Sequence, residues 1–335
     1  MSTMSINDAQ FIGSGLVRPE CVLATKAGNL YVSDFRGGVT KISSTGQVQF
    51  IGGEDVEGLG KLKPNGICML ADGSFLVAHL GDDSGGIYRV YRDNKIEPFL
   101  TEVEGQALPP TNFILLDHQE RLWITVSTRQ SPRAKGYRRD VADGFIVLVD
   151  GYGPRIVADN IGYTNEVCVT PDGKTLYANA TFARQTLAFD IDENNNLGNR
   201  RIVAQYQKGI FPDGLTMDES GFLWITSIVS NSILRVDPKT SQVDLMMQDV
   251  EERHVNWVED AFIQGAMNSS HLSTAQSKVF KNISSLAFGG LDRRTLYLGC
   301  LLGEAVAVLY GAVTGVAPAH WNFDSDTEYT IAKKV

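Results

Sequence analysis

Six oxygen-bearing side chains recur at the same place in six similar segments of the chain. They are Glu20, Asn65, Asn112, Asn165, Asp213 and Ser285, at successive spacings of 45, 47, 53, 48 and 72 residues. Carboxylate and amide oxygens are ligands of hard cations, and the set holds no thiolate or imidazole that would favour a softer metal. Brought together, these side chains would form a site for a divalent cation, with Ca²⁺ first and Mg²⁺ or Mn²⁺ as alternatives.

Turn chemistry offers a simpler account of any single member of this set. Asn and Asp tolerate and stabilise the tight turns that lead into strands. Because two carboxylates fall in the same column as three amides, the metal interpretation is favoured for the set as a whole.

The segments that carry these residues each have the pattern of a β-hairpin. Residues 211–226, FPDGLTMDESGFLWIT, contain a lead-in, an acid, an alternating apolar run, a polar turn and a second strand. The first four spacings match a four-stranded propeller blade, and the last is one blade plus an insertion. The sequence therefore predicts an all-β fold, a six-bladed β-propeller that forms one domain over 1–335. Its blades are expected at about 18–53, 64–105, 110–154, 155–205, 206–249 and 280–317.

A propeller would bring residues that are far apart in the chain into one ring. The first strand of each blade lines the central channel, so six equivalent strand starts place their side chains at one mouth. Residues 10–17 are expected to supply the outer strand of the last blade and so to close the circle. The C-terminal tail, 318–335, is polar apart from Trp321 and Phe323 and is expected on the surface.

An insertion at about 250–275 precedes the last blade. Val255, Val258 and Phe262 recur there at helical spacing, which predicts a short amphipathic helix. This helix could cover the channel, contact a second subunit or pack against the side of the propeller.

Four of the six segments resemble, in order, the motifs of one family. Glu20 lies in RPE, Asn112 precedes LLDHQERLW, Asn165 precedes VCVTPDGKTLY, and Asp213 lies in FPDG. Over about residues 11–310 the chain is similar to the family of senescence marker protein, gluconolactonase and luciferin-regenerating enzyme, in its bacterial gluconolactonase-like branch. The resemblance implies one catalytic divalent cation in the channel, bound by Glu20, Asn112, Asn165 and Asp213, with Asp213 also acting as general base. Ca²⁺ is the expected cofactor, and Mg²⁺, Mn²⁺ and Zn²⁺ are alternatives.

Further residues are expected to contact substrate. Asn65 and His79, in PNGICMLADGSFLVAHLG, resemble the second blade of bacterial gluconolactonases. A basic loop, 129–139, contains five cations and could attract an anionic substrate, with Arg129 as the expected contact. The alternative is that this loop is a solvated surface segment or a subunit contact.

The chain also departs from the family. Phe113 and Glu166 follow two of the column Asn residues, where the family often has Asp or Gly. Pro110 stands where some members carry an Arg that holds a sugar hydroxyl. These changes leave the metal assignment intact but make an unmodified sugar lactone a doubtful substrate.

The site type predicts a metal-dependent hydrolase. A cation-polarised carbonyl attacked by water would open a lactone, either of a sugar acid or of another and anionic kind. Two alternatives remain open: hydrolysis of an organophosphate or fluorophosphate on the same site, and a non-catalytic propeller that binds a protein partner on its rim. A homodimer is also possible.

Composition narrows the class of partner. The 335 residues carry a net charge of −9, which argues against nucleic acid and against an anionic membrane surface. No apolar run is long enough to span a membrane, and no signal peptide is visible at the start. Four cysteines without a CxxC spacing are expected to be reduced thiols of a cytoplasmic protein.

Overall fold

The computed structural model describes residues 3–324. Six four-stranded sheets follow one another around a central channel, as the sequence predicts. In each sheet the strands are antiparallel, and the strand that comes first in the blade lies innermost, so six strand starts face the channel.

The first three blades extend from Val22 to Ile161. The first described strand, β1 (Gln10–Ile12), belongs to the last blade. Blade 1 contains β2 (Val22–Ala24), β3 (Leu30–Asp34), β4 (Gly38–Ile42) and β5 (Val48–Gly52). Blade 2 contains β6 (Pro64–Met69), β7 (Phe75–His79), β8 (Ile87–Val90) and β9 (Ile96–Leu100). A small hairpin, β10 (Glu102–Val103) and β11 (Gln106–Ala107), leads to blade 3, with β12 (Thr111–Leu116), β13 (Leu122–Val126), β14 (Gly144–Asp150) and β15 (Gly153–Ile161).

The remaining blades follow the same plan. Blade 4 contains β16 (Thr164–Val169), β17 (Thr175–Ala180), β18 (Gln185–Ile191) and β19 (Leu197–Gln205). Blade 5 contains β20 (Ile210–Met217), β21 (Leu223–Val229), β22 (Ser232–Val236) and β23 (Val243–Gln248). Blade 6 contains β24 (Ile283–Gly289), β25 (Thr295–Cys300), β26 (Val306–Tyr310) and, as its outer strand, β1.

The circle is closed by both ends of the described chain. Strand β1 pairs antiparallel with β26, with Gln10 opposite Val308 and Ile12 opposite Val306. The predicted closing strand is therefore confirmed, although it is shorter than 10–17. Pairing here covers an edge that would otherwise be open between the first and last blades.

A repeated Asp–Trp contact explains why two of the hairpins share a sequence. Asp117 accepts hydrogen bonds from the indole Nε1 of Trp123 at 2.8 Å and from the backbone N of Gln119 at 2.9 Å. Asp218 does the same for Trp224, at 3.0 Å. Each carboxylate thus satisfies the turn amides and the indole of a fully buried Trp. These acids are structural rather than part of the channel ring.

The insertion forms two helices, α1 (Glu252–Ile263) and α2 (Ser269–Leu272). Val255, Val258 and Phe262 of α1 are buried against an aromatic cluster that includes Phe182 and Phe211 of the neighbouring blades. The predicted amphipathic helix is confirmed, and its apolar face packs on the propeller. None of the helices in the described part of the chain is long and apolar enough to cross a membrane.

The C-terminal segment departs from the expected surface position. Trp321 is 7% exposed and packs in an apolar cluster on blade 1. Asp324 accepts a hydrogen bond from Asn29 Nδ2 at 2.7 Å. The prediction for 318–324 was wrong because these contacts depend on which blade face lies beside the tail. The rest of the predicted tail, 325–335, lies outside the described residues.

Candidate functional site

A cavity of about 340 Å³ opens at the end of the channel where the inner strands begin. Five of the six column residues line it: Glu20, Asn65, Asn112, Asn165 and Asp213. The sixth, Ser285, lies at a deeper level of the channel, in a separate cavity beside Glu166. The predicted ring of six is therefore a ring of five at this mouth.

A local irregularity in the inner strands positions the ring side chains. In blades 2 to 5 the register between the first and second strands shifts within a short stretch, and each stretch includes the column residue. The stretches are Pro64 to Ile67, Thr111 to Phe113, Thr164 to Val167 and Pro212 to Leu215. Such bulges leave a residue out of the ladder and change the direction of its side chain.

Glycine after the column residue allows close packing of adjacent blades. A Cβ on Gly214 would lie 2.5 Å from the carbonyl oxygen of Ser284, and one on Gly66 would lie 2.6 Å from Cα of Phe113. Both distances are too short for a side chain. The PDG and PNG sequences therefore reflect the close approach of neighbouring inner strands at the channel.

The amide side chains of two ring residues have a defined orientation. Asn65 Nδ2 donates to the carbonyl oxygen of Asn112 at 3.0 Å, which only a nitrogen can do. Thr181 donates its own proton to the carbonyl of Pro212 at 2.8 Å, so it accepts from Asn165 Nδ2 at 2.9 Å. In both residues the amide oxygen is consequently left free of the scaffold.

Several buried oxygens at this mouth have no hydrogen-bond partner among the described residues. They are Glu20 Oε2, Asn65 Oδ1, Asn112 Oδ1 and Asn165 Oδ1. Glu20 Oε2 lies 3.1 Å from Arg18 Nη2, but this ion pair does not have hydrogen-bond geometry. Buried oxygens without partners are costly, and a convergent group of them matches the oxygen shell of a hard cation.

The carboxyl groups of the ring have altered proton affinity. Burial raises the pKa of Asp213 well above its ordinary value, and the neighbouring Glu20 raises it further. Burial also raises the pKa of Glu20, while the charges of Arg18 and Arg133 act against that rise. Two carboxyls held close together away from water favour a cation between them. Among residues 3–324, no cluster of three His, Cys, Asp or Glu side chains has metal-binding geometry, so amide oxygens would have to complete the donor set.

The sequence predicts no functional role for Glu166, which stands out there only as a departure from the family pattern. In the structure it is buried beneath the ring, and its Oε2 accepts a hydrogen bond from the backbone N of Leu215 at 2.9 Å. Burial raises its pKa well above the ordinary value, and the Asp213 and Glu20 carboxylates add to this rise. It joins the strand starts of blades 4 and 5 below the candidate cation site.

Three cationic side chains line the cavity above the ring: Arg18, Lys63 and Arg133. Lys63 Nζ pairs with Asp82 at 2.6 Å, and Arg18 pairs with Glu20. Arg133 lies in a short 3₁₀ turn, Arg133–Gly136, and its Nη1 donates to the hydroxyl of Tyr163 at 3.3 Å. The sequence identified the basic loop but pointed to Arg129 as the substrate contact, whereas Arg133 is the cation of this loop that lines the cavity.

The upper walls of the cavity are mostly apolar. Aromatic side chains come from blades 1, 3 and 4, and Leu272 comes from α2. The insertion therefore contributes to the wall of the cavity as well as packing on the propeller. The apolar and aromatic lining residues are Phe35, Leu80, Tyr137, Tyr163, Phe182, Ile228, Leu272, Leu301 and Leu302.

His79 does not line this cavity, contrary to the expected contact with substrate. Its Nδ1 accepts a hydrogen bond from the backbone N of Lys63 at 3.0 Å. Burial, together with the charge of Lys63, lowers its pKa to about 4, so the ring is neutral near pH 7. His79 therefore holds the backbone at Lys63 in place through this hydrogen bond, and its ring is not available to substrate in the channel.

Arg129 is also placed elsewhere. Its guanidinium pairs with Asp159, with nitrogen–oxygen distances of 2.7 and 2.9 Å, and stacks over the ring of Phe145. The side chain is 39% exposed, and it does not line the cavity. Instead of the expected substrate contact, Arg129 joins the loop after β13 to β14 and β15 of blade 3, and Arg133 takes the position facing the channel.

The comparisons with known proteins agree with this architecture. A family model described as the SMP-30/gluconolactonase/LRE-like region matches residues 18–251. The chain belongs to this family. The match covers the strand starts that carry all five ring residues.

Individual members of the SMP-30/gluconolactonase/LRE-like family are only distantly similar. Regucalcin of Danio rerio is 33% identical over 87 residues, which are 25% of this chain and 29% of that protein. The chain thus matches less than a third of the length of that relative. A gluconolactonase from Xanthomonas campestris has a TM-score of 0.65 at 17% identity, covering 92% of this chain and 94% of the other. A structure described as a calcium-binding protein, regucalcin, from Agrobacterium tumefaciens has a TM-score of 0.63 at 16% identity, covering 91% and 96%. These structural likenesses show a shared fold.

Proposed function

We propose that this protein is a divalent-cation-dependent hydrolase that opens a lactone. The observation that carries the proposal is the convergence of unpartnered buried oxygens from Glu20, Asn112 and Asn165 beside Asp213 at the floor of the cavity. The names of the similar proteins from Xanthomonas campestris and Agrobacterium tumefaciens, a gluconolactonase and a calcium-binding protein, support it. Ca²⁺ is the proposed cation, because all the donors are oxygens.

Each ring residue has a role in the proposed reaction. Glu20, Asn112, Asn165 and Asp213 would hold the cation, which when bound supplies positive charge that polarises the lactone carbonyl and stabilises its developing negative charge. Asp213 would accept the proton of the attacking water. Asn65, whose Oδ1 faces the same cavity, would orient the substrate. The ring oxygen of the lactone would take up the proton held by Asp213 as its bond to the carbonyl carbon breaks. An alcohol leaving group gives a hydroxy acid, and an enol leaving group gives a keto acid.

The walls would protect this chemistry from bulk water. Tyr137, Tyr163 and Phe182 form a packed aromatic set beside the cavity, with ring centroids 4.7 to 5.4 Å apart. Helix α1 packs against the same three aromatic side chains and holds them in place. Apolar side chains around the floor exclude water from it and so strengthen the electrostatic contacts made there.

A lactone panel measured before and after chelation tests the proposal. The purified protein should contain about one equivalent of divalent metal, lose ring-opening activity with chelator and regain it with Ca²⁺, Mg²⁺, Mn²⁺ or Zn²⁺. Asp213→Asn should lower kcat by at least about a hundredfold, because a general base typically contributes that much. Glu20→Gln should weaken cation binding more than Asn65→Ala does.

Other outcomes would change the assignment. Full activity of Asp213→Asn would remove Asp213 from the mechanism, and the reverse order of Glu20→Gln and Asn65→Ala would show that the ring has another use. Turnover of an organophosphate or fluorophosphate well above that of every lactone would reassign the reaction. A protein without metal, and without turnover when each cation is added, would leave a propeller with no hydrolase function.

A further inference from the structure

The cavity contains a guanidinium that the cation site does not need. Arg133 is half-buried among the lining residues, and no carboxylate of the described residues lies within ion-pair distance of it. Its single hydrogen bond, to the hydroxyl of Tyr163, is long at 3.3 Å. A guanidinium carries five donors and stays charged at all ordinary pH values, so most of its hydrogen-bonding capacity remains free.

The turn that carries Arg133 is held in place by packing. Tyr137, which ends this turn, is 2% exposed and lies against Tyr163 and Phe182, with ring centroids 5.4 and 4.8 Å away. Gly136 also packs tightly, because a Cβ at this position would lie 2.8 Å from Thr128 Oγ1, too close for a side chain. The direction of Arg133 toward the channel is thus built into the fold rather than left to a mobile surface loop.

Charge at the site also favours an anion. A bound divalent cation would balance the carboxylates of Glu20 and Asp213, and Lys63 is already paired with Asp82. Arg18, whose ion-pair partner is Glu20, and Arg133 then remain as positive charges facing the same cavity, and of these two Arg133 is the one without a carboxylate of the described residues within ion-pair distance. Its charge acts on both Glu20 and Asp213, so it lies within electrostatic reach of the place where the lactone would bind.

The other side chains that line the cavity indicate the polarity of the rest of the ligand. Phe35, Leu80, Phe182, Ile228 and Leu272 present apolar surface around the cavity, and the hydroxyls of Ser269 and Ser273 also line it. An apolar body buries well against the apolar side chains, whereas a sugar hydroxyl that faces them would lose its hydration.

We propose that the substrate is a lactone with an apolar body and a carboxylate substituent, and that Arg133 binds this carboxylate. The inference rests on the proposed lactone hydrolysis and names its substrate class. A planar guanidinium pairs with a carboxylate through two parallel hydrogen bonds, which gives orientation as well as affinity. Arg133 would then place the lactone carbonyl over the ring by holding its far end.

Two matched lactones test this inference on the full-length protein loaded with its most activating cation. One is γ-(4-carboxyphenyl)-γ-butyrolactone and the other is its neutral 4-carboxamide, of nearly the same shape. Glucono-δ-lactone serves as the polar comparison. We expect kcat/KM for the carboxylate to exceed that for the carboxamide by about tenfold to a hundredfold, as for a hydrogen bond to a charged group.

Variants of the same turn locate the effect. Arg133→Gln should reduce the ratio of kcat/KM for the carboxylate to kcat/KM for the carboxamide to within about threefold, and this ratio is the readout because both substrates share any change at the cation site. Arg133→Lys should retain part of the preference, because it keeps the charge but loses the two-bond geometry. Lys135→Gln removes one charge from the same 3₁₀ turn, but Lys135 is exposed and lies outside the cavity, so the preference should persist.

Results that contradict the carboxylate preference can be distinguished from results that contradict lactone hydrolysis itself. Equal rates of the wild-type protein on the carboxylate and the carboxamide, or faster opening of glucono-δ-lactone than of both, would overturn the inference and leave lactone hydrolysis standing. The same holds if Arg133→Gln tightens Ca²⁺ binding without changing the preference, because Arg133 would then serve only to balance the ring carboxylates. Absence of any lactone turnover with every cation would overturn both.

Discussion

At the scale of single residues, the candidate site depends on groups that orient the donors as much as on the donors themselves. Thr181 is the clearest case. Its proton goes to the carbonyl of Pro212, and its oxygen accepts from the amide of Asn165. Thr181 therefore turns the amide oxygen of Asn165 away from the scaffold. The same chain of bonds links the inner strands of blades 4 and 5.

Removal of the Thr181 hydroxyl should weaken cation binding. We expect Thr181→Val to raise the dissociation constant for Ca²⁺ by about tenfold to a hundredfold, which is the usual effect of losing a partner that orients a ligand. Calorimetric titration of the metal-free protein measures this directly. Thr181→Ser keeps the hydroxyl and should bind nearly as tightly as the wild type. Equal affinities of the Val and Ser variants would show that Thr181 has no orienting role.

At the scale of secondary-structure elements, one buried ion pair anchors the helical insertion to the propeller. Glu259 of α1 pairs with Arg184, and its Oε1 also accepts a hydrogen bond from the backbone N of Gly209 at 2.6 Å. Arg184 stacks on Phe211 and Phe262, with its guanidinium 4.3 and 4.4 Å from the ring centroids. The wall formed by the insertion therefore rests on a contact that is almost fully buried.

Breaking this contact should loosen the insertion more than the blades. We expect Glu259→Gln to destabilise the docked insertion by about 3 kcal/mol, because the charge of Arg184 is left buried without its partner. Hydrogen exchange of 252–272 should accelerate, while exchange of the inner strands stays slow. Glu252→Gln, on the exposed side of α1, is the matched control and should change neither. Uniform acceleration over the propeller would mean that the insertion does not open separately.

At the scale of the whole molecule, the channel carboxyls link stability to pH and to cations. Burial and mutual repulsion raise the pKa of Asp213 and Glu166 above their ordinary values. Groups whose pKa is raised on folding stabilise the protein at low pH, and this contribution is lost as pH rises through the folded-state pKa. His79 and His320 act in the opposite direction, because burial lowers their pKa from 6.5 to about 4. Their effect is confined to the range between those two values.

As pH rises above the ordinary carboxyl range, the channel carboxyls should lower the stability of the metal-free wild type relative to the double variant Glu20→Gln, Asp213→Asn, which lacks two of them. The difference between the midpoints of thermal unfolding of these two proteins measures the effect, because the histidines contribute equally to both. A fixed Ca²⁺ concentration, set at a hundred times the dissociation constant measured at pH 8.5, should add about 2.7 kcal/mol of stability at that pH. The gain should be smaller at pH 5.5, where protons compete with Ca²⁺ for the channel carboxyls. The double variant Glu20→Gln, Asp213→Asn should lose most of this cation effect. Equal stabilisation at both pH values would argue against binding by the channel carboxyls.

The sequence alone determined the propeller and most of its ring. Strand alternation, turn residues and the Asp117–Trp123 contact are local, so they repeat visibly at blade spacing. Repetition then specifies which residues share the channel mouth, since each blade contributes the start of its inner strand. Five of the six predicted ring residues do line one cavity. Ser285 does not, because the register of β24 against β25 makes Ser284 the equivalent of Asn65 and Asp213, one residue before the predicted position.

Only the tertiary structure decided which other side chains reach the cavity. Arg129 and Arg133 are four residues apart in the same basic loop, and nothing in their spacing distinguishes them. Arg133 faces the channel because Tyr137 packs against residues of another blade, and Arg129 faces outward because it pairs with Asp159 of β15. His79 and Trp321 were misplaced for the same reason. Contacts between distant segments set the direction of a side chain, and no local pattern records them.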